Sequence, residues 1–374
     1  MSFLRRHENR FILVVGIILA LILRYFLFSY ISADYKGFLS NWYDFIAGHG
    51  FEAFAHDFSN YNPLYLYMMA IVIFGLPFLP KIVAIKIISV FFDLILAWFV
   101  YKLVSVKYPK SFAAVCSFFA VLFAPTVFLN SACWGQADSI YTAGLVACVY
   151  WIYTGKQWHA LAAFGFALAV KAQAIFLAPL LLLLLLQKRL SWKPFLLVPV
   201  IYFLSLAPAW LAGRSLSDLM YTYVNQSQNY HELSKNAPNF FEWFPDAAYD
   251  VLYPAGLVLA VFVVFLLLAG CLKSKRKIES DLIIHSAFVF VLVVPYFLPK
   301  MHERYFYPAD IFSIIYTFYF PKYFFIPIVV IFCSFLAYLP YLFKVPIHIS
   351  ILSMVMGTIV ALVTYNYVKA LRVD

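Results

Sequence analysis

The sequence is poor in charged residues, which make up 12% of its 374 positions, about half the share expected of a soluble domain. Hydrophobic residues make up 65%, and runs such as 11–23, 112–127 and 174–186 are apolar on every side rather than along one helical stripe. Such runs suit lipid, where each backbone group must be satisfied within its own segment. The composition therefore argues against a soluble protein and predicts an all-α, polytopic membrane protein.

Several familiar motifs are also missing, and each absence removes a class of function. The chain has no Gly-rich phosphate loop, no DxD pair of metal–nucleotide sugar transferases and no HExxH of zinc peptidases. Its five cysteines lack the spacing of a metal site. A divalent metal cofactor stays possible, but no motif indicates one. The net charge of +10 is spread over short clusters between apolar runs, which is typical of topology signals and not of a nucleic-acid partner.

The basic clusters predict a bundle of about twelve spans with both termini in the cytoplasm. Residues 1–374 would form one integral membrane domain, with a first external loop at 32–81 and a second at 213–250. The apolar stretch 63–78 is short and is interrupted by Gly75 and Pro77. If it spanned the membrane, the basic cluster 102–110 would lie outside, so we expect an interfacial helix within the first loop.

Ionisable residues at membrane depth are functional hypotheses by default, and most of them fall on the predicted external side. Asp34 directly follows the first span, where a partly desolvated carboxylate could act as a base; an ordinary solvated loop carboxylate is the alternative. The far end of the same loop carries Asp57 and Asn62, which are candidates for positioning the substrate, followed by Pro63 at a predicted helix start. The tyrosines there are equally well explained as an interfacial belt.

Three further polar groups follow along the chain. Trp134, Gln136 and Asp138 occupy a tight external turn, where Asp138 either positions substrate or caps the next helix. Lys171 and Gln173 lie between two apolar halves, and Lys171 either snorkels outward or holds a lipid phosphate, which we favour.

The last group is Lys300–Tyr305, in which His302, Glu303 and Arg304 offer a donor, an acceptor and a guanidinium fork suited to phosphate. A basic anchor for lipid headgroups is the alternative. Lys86 and Asp93, about two turns apart on one predicted span, are expected to satisfy each other or partners in the bundle.

In this order, these groups resemble the GT-C superfamily of polytopic glycosyltransferases. The likeness covers nearly the whole chain and is strongest to bacterial mannosyltransferases related to the second-mannose enzyme of the GPI-anchor pathway. The chain is more distantly similar to the glucosyltransferases that build the lipid-linked oligosaccharide for N-glycosylation. The resemblance to the GT-C superfamily rests on the following segments: Leu23–Arg24, Ser32–Asp34, Phe38–Trp42, Tyr61–Tyr67, Trp134–Asp138, Lys171–Gln173 and Lys300–Tyr305.

The resemblance implies an inverting transfer of a hexose, mannose above all, from a polyprenyl-phosphate donor. The acceptor would be a glycan, a lipid-linked molecule or a protein, on the outer face of a bacterial plasma membrane. The family's catalytic base maps to Asp34 and its donor-phosphate element to His302 and Glu303, with Arg304 adjacent. The metal-binding acidic motifs of oligosaccharyltransferases are missing. Two alternatives stay open: a transporter or flippase of lipid-linked sugars, and a lipid-linked glycan ligase or polymerase.

Overall fold

The structure is a computed structural model that describes residues 2–228, 230–274 and 276–372. Within these residues the fold is all-α apart from two short strands. The first eight helices are α1 (Ser2–Leu27), α2 (Ser40–His49), α3 (Pro63–Gly75), α4 (Lys81–Lys107), α5 (Phe112–Leu122), α6 (Pro125–Phe128), α7 (Asp138–Tyr153) and α8 (Gln157–Val170). The others are α9 (Ala178–Leu186), α10 (Leu197–Leu211), α11 (Leu216–Gln228), α12 (Tyr249–Lys273), α13 (Asp281–Phe297), α14 (Tyr307–Tyr319), α15 (Phe325–Phe343) and α16 (Ile349–Arg372).

Five of these helical segments are long and apolar enough to cross a membrane, which is the organisation of an integral, multi-pass membrane protein. They are Lys81–Lys107, Lys193–Leu211, Asp246–Lys273, Pro321–Phe343 and Ile349–Arg372. A sixth is added if Phe112–Leu122 and Pro125–Trp134, bent by 46°, form one broken span. Pro125 begins the second half of that pair, because a residue without an N–H group starts a helix more easily than it continues one.

The prediction of about twelve spans is therefore wrong. Several of the predicted spans are apolar helices of 10–17 residues, such as Gln157–Val170 and Asp281–Phe297, and about 20 residues are needed to cross the hydrocarbon core. Burial inside the protein explains their apolar sequences: nearly every residue of α7 and α13 is buried. An apolar sequence is typical both of a helix that faces lipid and of a helix that is buried in protein. The hydropathy of the sequence therefore predicted buried helices as membrane spans.

Contacts between helix ends define two poles of the molecule. At one of them, Lys107 Nζ lies 2.6 Å from Asp281 Oδ2 and donates to the Tyr319 carbonyl, which joins the ends of α4 and α14 to the start of α13. Arg189 Nη1 also binds Glu279 Oε1 at 2.6 Å there. We call this end the basic pole, and the end at which Asp34 lies the site pole. Lys275, part of a basic cluster predicted to be cytoplasmic, lies outside the described residues.

The segment 32–81 starts and finishes at the site pole. Its last helix, α3, has 13 residues, which is too short to cross a membrane. At the start of α4, Lys81 Nζ then lies 2.5 Å from Asp44 Oδ2 of α2. The external location of segment 32–81 and the interfacial location of α3 stay predictions.

Two buried cations fix α1 against the bundle. Arg24 donates to Asp93 Oδ2 at 2.9 Å and to the carbonyl of Leu122, which α5 leaves unbonded where it ends. Lys86 donates to the carbonyls of Phe28 and Tyr30, just beyond the end of α1. Lys86 and Asp93 thus find partners in the bundle and not in each other, and together they hold the chain that leads into Asp34.

Candidate active site

Asp34 lies at the centre of a network of hydrogen-bond donors. Its Oδ2 atom accepts from Trp134 Nε1 at 2.8 Å and from Gln136 Nε2 at 2.5 Å, and its Oδ1 atom accepts from the Tyr341 hydroxyl at 2.5 Å. The side chain is half-buried. Hydrogen bonds of this kind fix the orientation of a carboxylate. One lone pair of Oδ1 is left for a further donor, such as a substrate hydroxyl.

The turn between α6 and α7 presents two of these donors because its backbone is fixed at several points. Gly135 has φ +83, and a Cβ added there would lie 3.3 Å from Leu39 Cδ1, so glycine suits the turn on both counts. The Trp134 carbonyl accepts from Ser32 Oγ at 3.0 Å, and the Gln136 carbonyl accepts from Ser89 Oγ at 2.6 Å. The turn therefore holds both side chains against Asp34.

A second polar cluster, fully buried, centres on Asp138 at the start of α7. Its Oδ1 atom lies 2.6 Å from Lys171 Nζ, and its Oδ2 atom accepts from Asn130 Nδ2 at 2.8 Å. Arg304 Nε approaches the same Oδ2 atom at 3.9 Å. Asp138 makes no helix-capping hydrogen bond; Ala137 is the N-cap residue. Asp138 instead lies between two cations that the sequence assigned to a phosphate.

The segment after α13 is tied to the second predicted external loop by the two strands, β1 (Ser234–Lys235) and β2 (Met301–His302), which pair in parallel. Lys300 N donates to the Leu233 carbonyl at 2.7 Å, and Glu303 N donates to the Lys235 carbonyl at 3.0 Å. Although the paired residues are 67 positions apart in the sequence, this pairing brings Lys235 beside His302.

The side chains of residues 302–304 have distinct electrostatic roles. Burial lowers the pKa of His302 well below its ordinary value, and the neighbouring Arg304 and Lys235 lower it further, so the imidazole is neutral at pH 7. Burial raises the pKa of Glu303, which the guanidinium of Arg304 opposes from 3.1 Å. The Arg304 guanidinium also lies 5.2 Å from the centre of the Trp134 ring, a cation–π distance. Arg304 thus connects the His302 segment to the Asp34 network.

A cavity of about 280 Å³ opens between these groups. Asp34, Gln136 and Gln173 line it together with His302 and Arg304. Lys300 of the predicted group Lys300–Tyr305 lines it as well, and so does Lys235, which the sequence did not assign to the site. The cavity thus combines a carboxylate held by three donors with three cationic side chains.

The remaining predicted site residues do not line the cavity. Lys171 is buried against Asp138, so its contact with a phosphate stays a prediction. Asp57 is paired with Arg214, which ties the first loop to the segment after α10. Asn62 Oδ1 accepts from Leu64 N at 3.3 Å and caps α3, which begins at Pro63 as predicted.

Sequence reasoning missed Tyr341 and named Tyr61 only as part of the segment Tyr61–Tyr67, without a role in the site. Tyr341 belongs to an apolar span and is 307 positions from Asp34, and no local pattern distinguishes it from other span tyrosines. The Tyr61 hydroxyl donates to Gln136 Oε1 at 3.0 Å, which leaves the Gln136 amide nitrogen for Asp34. Both hydroxyls complete the network from elements far apart in the sequence.

Some polar atoms at the cavity have no protein partner. Within the part of the chain that the structure describes, Gln173 Oε1 and Asn60 Oδ1 are buried and accept no hydrogen bond, and both residues line the cavity. Buried acceptors of this kind are usually satisfied by a ligand or by water. They match ligands that carry hydroxyl groups. Across residues 2–228, 230–274 and 276–372, no three His, Cys, Asp or Glu side chains gather in a way that could hold a metal ion.

No protein-family model matches the chain, and no curated protein matches it. Its function is therefore inferred from the chemistry of this site.

Proposed function

We propose that this protein is an inverting glycosyltransferase that moves a hexose, mannose in the first instance, from a polyprenyl-phosphate donor to an acceptor hydroxyl. The observation that carries the proposal is the shared cavity, in which Asp34 lies together with Arg304, Lys235 and Lys300. A base and a group of cations in one cavity match the two needs of glycosyl transfer from a phosphate. The reaction would take place on the outer face of a bacterial plasma membrane.

The chemistry requires one proton transfer and one displacement. The acceptor hydroxyl gives its proton to Asp34 while its oxygen attacks the anomeric carbon. The bond from that carbon to the phosphate oxygen breaks on the opposite side of the sugar, which inverts the configuration. The polyprenyl phosphate leaves with the bonding electron pair, and the cations stabilise its charge in a site from which most water is excluded. The neutral His302 can donate one hydrogen bond to the same leaving group.

The size and polarity of the cavity favour a single sugar. At about 280 Å³ it is near the lower limit of small-molecule sites. A cavity of this size encloses about one sugar ring, so a preassembled glycan would have to extend out of its open side. The unpartnered oxygens of Gln173 and Asn60 would accept from sugar hydroxyls.

A transporter or flippase of lipid-linked sugars is the other candidate. Such a protein needs a polar route that is open to both poles in turn. The residues lining the cavity come from the site pole, while ion pairs such as Lys107–Asp281 join the helix ends at the other. This arrangement favours an enzyme with access from one side.

The direct test of the proposal is an assay of the purified protein with synthetic polyprenyl-phosphate mannose, glucose and galactose. We expect acceptor-dependent release of polyprenyl phosphate from one of the three. Release of polyprenyl phosphate from none of them, across glycan, lipid and peptide acceptors, would remove the proposed function.

Replacing Arg304 with Gln is expected to lower kcat/KM for the donor by about 10- to 100-fold, because a neutral amide cannot replace a guanidinium fork on phosphate. Initial rates at limiting donor measure the effect. Arg189→Gln is the matched control, since Arg189 forms an ion pair at the basic pole. Thermal unfolding of both variants separates a loss of phosphate binding from a loss of stability. Wild-type kcat/KM in a folded Arg304→Gln variant would contradict the role of Arg304.

The proposed orientation predicts that Lys36→Cys reacts with a membrane-impermeant maleimide in intact cells, whereas Lys277→Cys reacts only after the cells are opened. Both lysines are exposed, one near Asp34 and one at the basic pole. The native background is low, because four of the five cysteines are buried and Cys116 is partly buried. Labelling of Lys277→Cys in intact cells would invert the orientation and move the active site to the cytoplasm.

A further inference from the structure

A second concave surface lies at the basic pole, between the last turns of α12 and α16. This groove has a volume of about 880 Å³, and its apolar wall includes Leu267 and Leu371. Gly270 lies in the same wall, and a Cβ added there would meet no heavy atom within 4 Å, so the groove is open at this point. Three cations, Lys273, Arg276 and Arg372, line its end.

The groove lies where lipid is expected. Both helices are among the candidate membrane spans. The neighbouring outer face of α12 is apolar and exposed, as at Val261 (70%) and Phe265 (60%). An apolar groove that is continuous with such a face is open to acyl chains along its length and to the headgroup layer at its basic end.

The positive charge of the three cations at this end exceeds the negative partial charge of the two helix C-termini. α12 and α16 both end here, and each helix C-terminus carries about half a negative charge. Against that total of about −1 stand three cations, which leaves an excess of about +2. No carboxylate lines the groove among the described residues. An anion that binds at this end would therefore meet an excess of positive charge.

The geometry of the cations also suits a phosphate. Arg276 Nη1 donates to the Ala370 carbonyl at 2.7 Å, which fixes the guanidinium across the end of α16 and leaves its other N–H groups available. Ser274 Oγ donates to the Leu371 carbonyl at 2.6 Å and holds the two helix ends together. The basic end of the groove is thus built on two anchored helix termini.

We propose that this groove binds an anionic phospholipid, with its acyl chains between α12 and α16 and its phosphate among Lys273, Arg276 and Arg372. The site is separate from the Asp34 cavity, and its ligand is a structural or regulatory lipid rather than a substrate. Anionic lipids are concentrated in the cytoplasmic leaflet, which is the leaflet that the basic pole meets in the proposed orientation.

The test is a lipid titration of the purified full chain followed by native mass spectrometry, with dioleoylphosphatidylglycerol and, for comparison, dioleoylphosphatidylcholine. We expect the wild type to retain the anionic lipid preferentially. Replacing Lys273, Arg276 and Arg372 together with Gln should weaken that binding by at least about tenfold, because each cation near a headgroup contributes to the attraction. The matched control replaces Lys188, Arg189 and Lys193 of the same pole with Gln and should leave binding unchanged.

A second variant tests the groove without changing its charge. Gly270→Phe fills the open space and should displace the lipid, whereas Gly48→Phe, at another glycine with no neighbour within 4 Å, should not. Equal losses in the two triple variants would show a general effect of basic charge and overturn the proposal. Full retention of lipid by Gly270→Phe, or complete displacement by excess inorganic phosphate, would also overturn it.

Discussion

Asp34→Asn is expected to fold, insert and bind the donor lipid, yet to transfer sugar about 10²- to 10⁴-fold more slowly than the wild type. Asn keeps the shape of the side chain, and its oxygen can still accept from a neighbouring donor. It cannot take the proton from the acceptor hydroxyl. Single-turnover transfer at saturating donor measures the loss, because that rate reports the chemical step and not donor binding.

Asp57→Asn is the comparison for this experiment. Asp57 lies in the same loop, but its carboxylate is exposed and paired with Arg214, so its loss should reduce the rate much less. Near-normal turnover by Asp34→Asn, at equal membrane abundance, would remove Asp34 from the role of base. An inactive Asp57→Asn would instead assign the role of base to Asp57.

The buried pair of Lys171 and Asp138 should show the second large effect, on stability. Asp138→Asn leaves the Lys171 ammonium buried without a counter-charge, and breaking a buried ion pair in this way costs about 3–5 kcal/mol. We therefore expect a large fall in the thermal midpoint of the purified protein. Lys171→Met should also be destabilising, because it removes the nearer cation and leaves Arg304, at 3.9 Å, as the remaining positive partner of the Asp138 carboxylate.

The double variant Lys171→Met with Asp138→Asn tests whether the two residues stabilise the fold through their interaction with each other or independently. Once both charges are gone, we expect it to be more stable than either single variant. Additive losses would show that the two residues act separately. If Lys171 binds donor phosphate directly, the double variant recovers stability but not donor affinity, and kcat/KM for the donor reports that difference.

Much of the candidate site could be predicted because a polar or charged side chain at membrane depth is energetically costly. Each such residue is therefore conspicuous in the sequence without knowledge of its partners. Asp34, Gln136, His302 and Arg304 all line the cavity, and each was a polar residue beside an apolar run. Asn62 and Pro63 start a helix as their local chemistry predicts. The partners were not predictable, because pairing depends on the three-dimensional path. Lys171 has no acidic neighbour in the sequence, yet its ammonium lies 2.6 Å from Asp138.

Helix type was easier to predict than membrane crossing. An apolar run indicates a helix that is shielded from water. α13 is shielded by the surrounding protein, whereas most of the apolar surface of α12 is exposed on the outside of the protein, where a membrane span meets lipid. The two sequences have similar hydropathy and different surroundings. Lys235 was missed for a related reason, since only the pairing of β1 with β2 brings it to the cavity.

The short interior helices also determine how deep the site lies. At 1.5 Å per residue, the 17 residues of α13 extend about 25 Å and the 13 residues of α14 about 20 Å, against about 30 Å of hydrocarbon. If the basic pole lies at one face of the hydrocarbon, the segment that joins α13 and α14, which carries His302 and Arg304, ends about 5–10 Å short of the opposite face. A lipid-borne substrate could reach it by sideways diffusion, without leaving its leaflet. A water-borne acceptor would have to descend to meet it, so the thickness of the surrounding bilayer would set how far that acceptor travels.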